Sequence, residues 1–283
     1  MTSPQPVLGV LHPGSMGAAV AACAVSVGSR VLWCPAGRSA ATVRRAEQAG
    51  LEPVAELCAL LERAEVVLSL CPPAVAEDVA RKVAGHRFAG VYVESNAISP
   101  DRVRRIADLV SGSARALVDG SVIGSPPVGG KRAQLFLSGP PDAARLVSGL
   151  FSGTAVSTPF LGEEIGQASA LKVSYTAYQK ASRVLAALSY GLAQHHGVDQ
   201  ALLDVASKRS GSYLVETNYI AKTAARAWRW APELEEAADT LRAAGLPDEV
   251  LRAVAQTLHR WTDAKDNGEL SAEGALRILR ESK

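Results

Sequence analysis

The segment Val10-Leu11-His12-Pro13-Gly14-Ser15-Met16-Gly17 stands between a short apolar run and a stretch of small residues. Read as a strand, a turn and a helix start, it suits the diphosphate of a dinucleotide. Such a group needs free backbone N–H donors at a helix start and little side-chain bulk. Gly14 would permit close approach, and Gly17 would let the helix pack against the strand before it. His12 stands where such turns usually carry their first glycine, so this turn must be built differently. A tight connection in an α/β protein without a nucleotide is the other reading of the same residues. His12, Pro13, Gly14, Ser15, Met16 and Gly17 are the candidate cofactor contacts, with His12 expected to shape the turn rather than act as a catalytic acid.

The next loop reads Trp33-Cys34-Pro35-Ala36-Gly37-Arg38-Ser39, and no acid follows before Glu47. NAD sites commonly place Asp or Glu here on the ribose hydroxyls, whereas NADP sites remove the acid and supply Arg. Arg38 can fork onto a 2′-phosphate, and Ser39 can donate a hydroxyl hydrogen bond. Arg44 or Arg45 can assist from the next helical turn, although solvated helix arginines would read the same way. NADP is the expected cofactor.

Further along, Lys172 and Thr176 are four residues apart and share a helix face, and Tyr175 and Gln179 are likewise one turn apart. Spacing alone leaves Lys172 open between a solvent-facing helix lysine and an amine aimed at a reacting oxygen. Asn96, Ser121 and Ser125 can hydrogen-bond a ribose or a substrate, or merely cap proline-rich turns. Tyr213, Asn218, Tyr219, Arg226, Trp228 and Trp230 are conspicuous later in the chain, and packing is the expected role of the aromatic ones.

These residues need elements to hold them. Apolar runs at Val7–Leu11, Arg30–Trp33, Glu65–Leu70, Gly90–Val93 and Gln134–Ser138 read as strands. Helices are expected at Ala18–Val27, Ala40–Ala49, Leu57–Arg63, Ala74–Val83 and Ile98–Val110, and Gly120–Gly130 reads as turns. Strand–helix alternation predicts a parallel sheet covered on both faces. Its carboxyl edge would gather the loops at 12–17, 34–39, 71–73, 94–97 and 119–127, which adds Cys71, Pro72 and Asn96 to the cofactor candidates. From Glu163 to His195 the chain reads as one long or bent helix. Helices are also expected at 199–208, 212–227, 232–244, 247–265 and 271–281. The expected organisation is an α/β Rossmann-like domain over 1–162 and an all-α region over 163–283.

Composition narrows the function classes. The 283 residues carry a net charge of only +2, and dividing them at Phe160 leaves neither half strongly basic, so a nucleic-acid footprint is not expected. Cys23, Cys34, Cys58 and Cys71 form no CxxC pair and are too sparse for a disulfide scaffold. No His/Cys/Asp cluster has metal-site spacing. Cys71 beside two prolines has no activating base, which argues against nucleophilic catalysis. Met1–Pro6 lacks the basic start of an export signal, and no stretch reads as a membrane span, so a cytoplasmic enzyme is expected.

Taken in order, the blocks His12–Gly17, Arg38-Ser39, Glu94-Ser95-Asn96-Ala97-Ile98-Ser99-Pro100, Asp119-Gly120-Ser121-Val122-Ile123-Gly124-Ser125 and Gly166–Thr176 carry a resemblance. Through nearly its whole length the chain resembles the β-hydroxyacid dehydrogenase superfamily. That group includes 3-hydroxyisobutyrate and 6-phosphogluconate dehydrogenases, with imine reductases as relatives. The chain looks closest to a 6-phosphogluconate-dehydrogenase-like branch with its own C-terminal domain. The resemblance implies a catalytic role for Lys172, with Thr176 where family members usually carry Asn. It implies a substrate block at Ser121, Ile123, Gly124 and Ser125; Tyr175 and Gln179, near Lys172 in sequence, are read from spacing alone as pocket-lining or packing residues. Ile123-Gly124-Ser125 replaces the usual Ser-Gly-Gly, and Ala168 replaces a glycine before the lysine. The resemblance further implies a homodimer, with completion of each site by the partner subunit left open. The expected function is an NADP-dependent oxidoreductase moving hydride between the nicotinamide and a small, polar, anionic hydroxy acid or its carbonyl form. Imine reduction and a noncatalytic NADP-binding regulator are the alternatives. Substrate, direction and any decarboxylation stay unassigned.

Overall fold

A computed structural model describes residues 6–86, 88–195, 197–208, 216–243 and 248–281. The chain divides into two compact units, Met1–Lys172 and Val173–Lys283. The first is an α/β unit and the second is helical. The sequence-based division at 162/163 falls earlier because the first turn of the long interdomain helix is anchored to the sheet.

In the first unit, β1 (Leu8–Val10), β2 (Val31–Trp33), β3 (Glu52–Pro53), β4 (Val66–Ser69), β5 (Val91–Glu94) and β6 (Ala116–Gly124) alternate with α1 (Ser15–Ser26), α2 (Ala40–Gln48), α3 (Leu57–Arg63), α4 (Ala76–Ala84) and α5 (Pro100–Val110). They form a parallel sheet in the order β3-β2-β1-β4-β5-β6. The order reverses outward from β1, which places the β1–α1 turn at the switch point where open sheets bind ligands. Period-two alternation divides each strand between two cores. Val91 and Val93 join α1 and α6 residues on one face, while Tyr92 joins α3, α4 and α5 residues on the other.

Several features depart from the sequence reading. Gly120–Gly124 is strand, not turn: β6 continues through it and pairs antiparallel with β7 (Ala133–Ser138). Gly120 serves packing there, because a Cβ would lie 2.5 Å from Ser95 Oγ. Beyond β7 come α6 (Pro141–Gly149), β8 (Val156–Ser157) and β9 (Phe160–Gly162), and both of these short strands pair with β7. The helix signals for α6 were present, with Pro141 and Asp142 in its first turn.

The helix α7 (Gln167–His195) crosses the division between the units. The second unit also holds α8 (Asp199–Ser207), α9 (Tyr219–Ala243), α10 (Glu249–His259) and α11 (Ala272–Glu281). Pro232 was expected to separate two helices, yet α9 runs through it. Proline in a helix interior costs roughly 3 kcal/mol. Its neighbours Ala227, Trp230, Ala231, Leu234, Ala237 and Ala238 are buried in the helical core, and that packing outweighs the lost bond. Tyr213 lies outside the described residues. No helix among the described residues is long and apolar enough to cross a membrane.

Two packing constraints set the frame of the carboxyl edge. Asp119 is fully buried near the middle of β6. Its carboxylate accepts Gly166 N–H at 3.0 Å, Ser169 N–H at 3.0 Å, Ser169 Oγ at 2.7 Å and Ser138 Oγ at 3.2 Å. Ser138 Oγ in turn accepts Ala168 N–H at 3.1 Å. Burial raises the Asp119 pKa, while these bonds draw it back down. The otherwise orphan donors at the start of α7 are thereby satisfied from the sheet. The second constraint is Gly17, where a Cβ would stand 2.6 Å from the His12 carbonyl oxygen. Gly14 is under no such pressure, since the nearest atom to an added Cβ is 3.5 Å away.

Asp119→Ala should lose about 3 kcal/mol in chemical denaturation, because several buried donors are orphaned together. The exposed Asp142→Ala should change little, and equal losses from the two would contradict the anchor. Gly17→Ala should cost about 3 kcal/mol, whereas Gly14→Ala should stay within about 1 kcal/mol. Thermal denaturation of the two glycine variants compares them directly.

Candidate functional site

Gly14 is the N-cap of α1, in extended conformation, and no side chain caps the helix. The turn closes on itself through Gly14 N–H to the His12 carbonyl at 2.8 Å. Ser15 is exposed and Pro13 is buried, while Met16 packs against the core. The first N–H groups of α1 therefore carry the positive end of a helix with no side-chain acceptor of their own.

Arg38 builds the turn where a glycine would otherwise shape it. Its Nη1 meets His12 Nδ1 at 2.8 Å and its Nη2 donates to the Leu11 carbonyl at 2.7 Å. A guanidinium only donates, so Nδ1 is the acceptor and the ring hydrogen sits on Nε2. Burial, then Arg38, then Arg45 hold His12 below the usual imidazole range. With Nδ1 taken by Arg38, the ring presents Nε2–H as its donor. Ser39 caps α2 by accepting Thr42 N–H at 3.3 Å, and Arg45 Nη2 donates to Thr42 Oγ1 at 3.1 Å. The Nε atoms of Arg38 and Arg45 are buried without hydrogen-bond partners. Two guanidiniums, an imidazole N–H and an uncapped helix start make a donor-rich set that fits a phosphate-bearing ligand.

Asn96 is tied into the protein more tightly than the sequence suggested. It is 2% exposed. Its Oδ1 accepts Cys71 N–H at 2.5 Å and its Nδ2 donates to Ser69 Oγ at 3.1 Å. Its side chain thus links the turns after β4 and β5. Pro72 precedes a single 3-10 turn at Pro73–Val75. Burial, with Glu94 adding to it, pushes the Cys71 thiol up to about 12, so it is no nucleophile near neutral pH.

β6 outruns β5, whose register with it ends at Glu94–Asp119. Within that overhang, Lys172 Nζ donates to the Val122 carbonyl at 2.7 Å. The structure therefore joins the candidate amine to the Ser121–Ser125 segment. Ser121 is 1% exposed with its hydroxyl unpartnered, Ile123 is half-buried, and Gly124 and Ser125 are exposed at the strand end. Thr176 is buried one turn beyond Lys172, Tyr175 is exposed and Gln179 is half-buried.

In the helical unit, Trp230 belongs to the core, while Trp228 Nε1 donates to Asp266 Oδ1 at 3.2 Å. Arg226 donates to the Tyr219 hydroxyl at 3.0 Å. Sequence reasoning missed the buried Lys180–Glu233 ion pair, and it named Glu94 and Asp119 only as the first residues of two blocks that carry the resemblance. An acid directly after the apolar runs Val91-Tyr92-Val93 and Leu117-Val118 was the available signal. Among the described residues, no group of three or more His, Cys, Asp or Glu converges as a metal site.

The family described as "Domain of unknown function (DUF1932)" matches residues 193–261. A conserved protein, MTH1747, whose structure is described as similar to 3-hydroxyacid dehydrogenases, is 25% identical, with 91% of this chain and 97% of that chain covered and a TM-score of 0.66. The 3-hydroxyisobutyrate dehydrogenase of Mycobacterium tuberculosis, solved with L-serine, is 20% identical over 98% of this chain and 99% of its own, with a TM-score of 0.76. A reductive aminase from Aspergillus terreus in complex with NADPH and ethyl levulinate is 18% identical over 99% and 100% of the two chains, with a TM-score of 0.57. The chain thus has the fold of the 3-hydroxyisobutyrate dehydrogenases and related β-hydroxyacid dehydrogenase-like proteins, with its DUF1932 match in the helical unit.

Proposed function

We propose that the protein is an NADP-dependent oxidoreductase acting on a small, polar, anionic hydroxy acid or its carbonyl form, as a homodimer. The observation that carries this reading is the donor set at the β1–α1 turn: an uncapped helix start, a neutral His12 and the guanidiniums of Arg38 and Arg45. The likeness in fold to a hydroxyacid dehydrogenase and to an NADPH-bound reductive aminase supports it.

In this reading the first N–H groups of α1 hold the diphosphate, and Arg38 and Ser39 hold the 2′-phosphate. Each Nη of Arg38 keeps a second hydrogen beyond those given to His12 and Leu11. Asn96 and the Cys71–Pro72 turn border the nicotinamide end. When bound, the nicotinamide supplies or takes the hydride. Lys172 moves the matching proton at Nζ: an ammonium protonates the developing alkoxide, and a neutral amine accepts the hydroxyl proton. Gly124 and Ser125, at the exposed end of β6, meet the acidic group of the substrate, with Ser121 and Ile123 shaping the strand beneath. Thr176 shares the lysine's face of α7, and Tyr175 and Gln179 flank it. Imine reduction is the second reading, favoured by the likeness to the reductive aminase; the lysine donor suits carbonyl chemistry better.

Arg38→Ala should loosen the turn for both cofactors through the lost His12 and Leu11 bonds, and should weaken NADPH binding by about 10–100-fold more than NADH binding, the worth of a charge-assisted bond. Fluorescence titration of both cofactors reads the difference, and equal losses would remove the 2′-phosphate assignment. Lys172→Ala should keep NADPH affinity but lose about 10²–10⁴-fold in turnover. Turnover is followed by nicotinamide absorbance with a panel of hydroxy acids, keto acids and imines. Full turnover in that variant would rule out the proton-transfer role.

A further inference from the structure

Glu94 ends β5 fully buried. Its Oε1 accepts Asn96 N–H at 2.9 Å, while its Oε2 is buried with no hydrogen-bond partner. Asn96 passes the constraint on, to Cys71 N–H and to Ser69 Oγ. One carboxyl group is therefore linked, through one amide side chain, to the turns that follow β4 and β5.

The groups around Glu94 disfavour a charge on it. Its register partner on β6 is Asp119, also buried, and there the donors from α7 and β7 converge. Glu77 of α4 contributes a second negative charge, and Arg102 of α5 is bonded to Glu77 at 2.7 Å. Cys71 lies on the β4 turn, and the Tyr92 hydroxyl lies beside Ser69 and Glu94 without a formed hydrogen bond. Two adjacent buried carboxyl groups, one with four donors and the other with one, cannot both ionise cheaply.

We infer that Glu94 is a positioning residue: its carboxyl group sets Asn96, and Asn96 sets the Cys71 turn at the carboxyl edge of the sheet. Its effect on cofactor binding rests on the proposed function; its effect on the turn does not. Burial, with Asp119 and Glu77 adding to it, pushes Glu94 up to about 8, against the pull of Asn96. The neutral acid offers its carbonyl oxygen to Asn96 N–H. Ionisation makes Glu94 a stronger acceptor for Asn96 N–H but sets a second buried charge beside Asp119, and the turn loosens to admit the water that this charge requires. Because the folded-state value lies above the ordinary 4.5, this contribution to stability is complete below about 4.5 and is lost as pH rises through about 8.

The test is hydrogen exchange of segments 70–72 and 95–97 in the whole protein from pH 6 to 9, for wild type and Glu94→Gln. NADPH titration runs in parallel. Dividing wild-type rates by those of the variant at each pH cancels intrinsic exchange. The expected ratio rises about a hundredfold from pH 6 to pH 9 and levels off above about 8, as the neutral form falls to about a tenth. NADPH affinity falls over the same interval in wild type only. A flat ratio overturns the inference even where NADPH binds, and then the cofactor reading stands alone. A rising ratio without NADPH binding upholds the inference and removes the cofactor reading. If Glu94→Gln fails to fold, Asn96→Ala cuts the same link. It should raise exchange at 70–72 at every pH, and unchanged exchange there overturns the inference.

Discussion

The anchoring of α7 on Asp119 is the interaction on which the candidate edge depends. A buried carboxylate is costly unless donors surround it, and the first turn of a helix has donors without partners. Joining the two resolves both problems at once. It also fixes Gly166, Ala168 and Ser169 against β6 and β7, directly or through Ser138. Lys172 follows within a turn, and its amine comes to the Val122 carbonyl on the part of β6 that outruns β5. The location of the lysine thus follows from a helix-capping constraint.

Glu94 and Asp119 show how depth alone fails to decide protonation. Both are fully buried, and they are register partners on adjacent strands. Asp119 collects two backbone N–H groups and two hydroxyls, whereas Glu94 collects one N–H. The difference lies in which elements end above each strand: α7 starts over β6, while β5 leads into its own turn. Burial raises the pKa of both, and the four donors on Asp119 oppose that rise where Glu94 has one N–H. The same logic of donors and acceptors explains His12, whose tautomer is set by Arg38.

Much of the fold was legible in local signals. Short apolar runs, glycine turns and small-residue helices gave the strand–helix alternation, because parallel strands buried on both faces have little freedom in composition. Gly17 was legible for the same reason: close helix–strand contact leaves no room for a Cβ. The length of β6 was hidden, since Gly120 and Gly124 read as turn residues when the antiparallel partner β7 is not in view. Pro232 misled similarly, because a local breaker lost to the packing of the helical core.

By itself, the sequence determined the element types, the phosphate-suited turn and the Arg38 side chain without a competing acid, because these depend on residue size, backbone freedom and charge within a few positions. Only the tertiary structure decided that Arg38 would orient His12, that Asn96 would be engaged inside the protein, and that Asp119 rather than Glu94 would receive the donors of α7. Each of those outcomes joins residues distant in the chain. The physical reason is that hydrogen bonding and burial are satisfied by whichever group the fold brings into reach, and no local pattern records the partner.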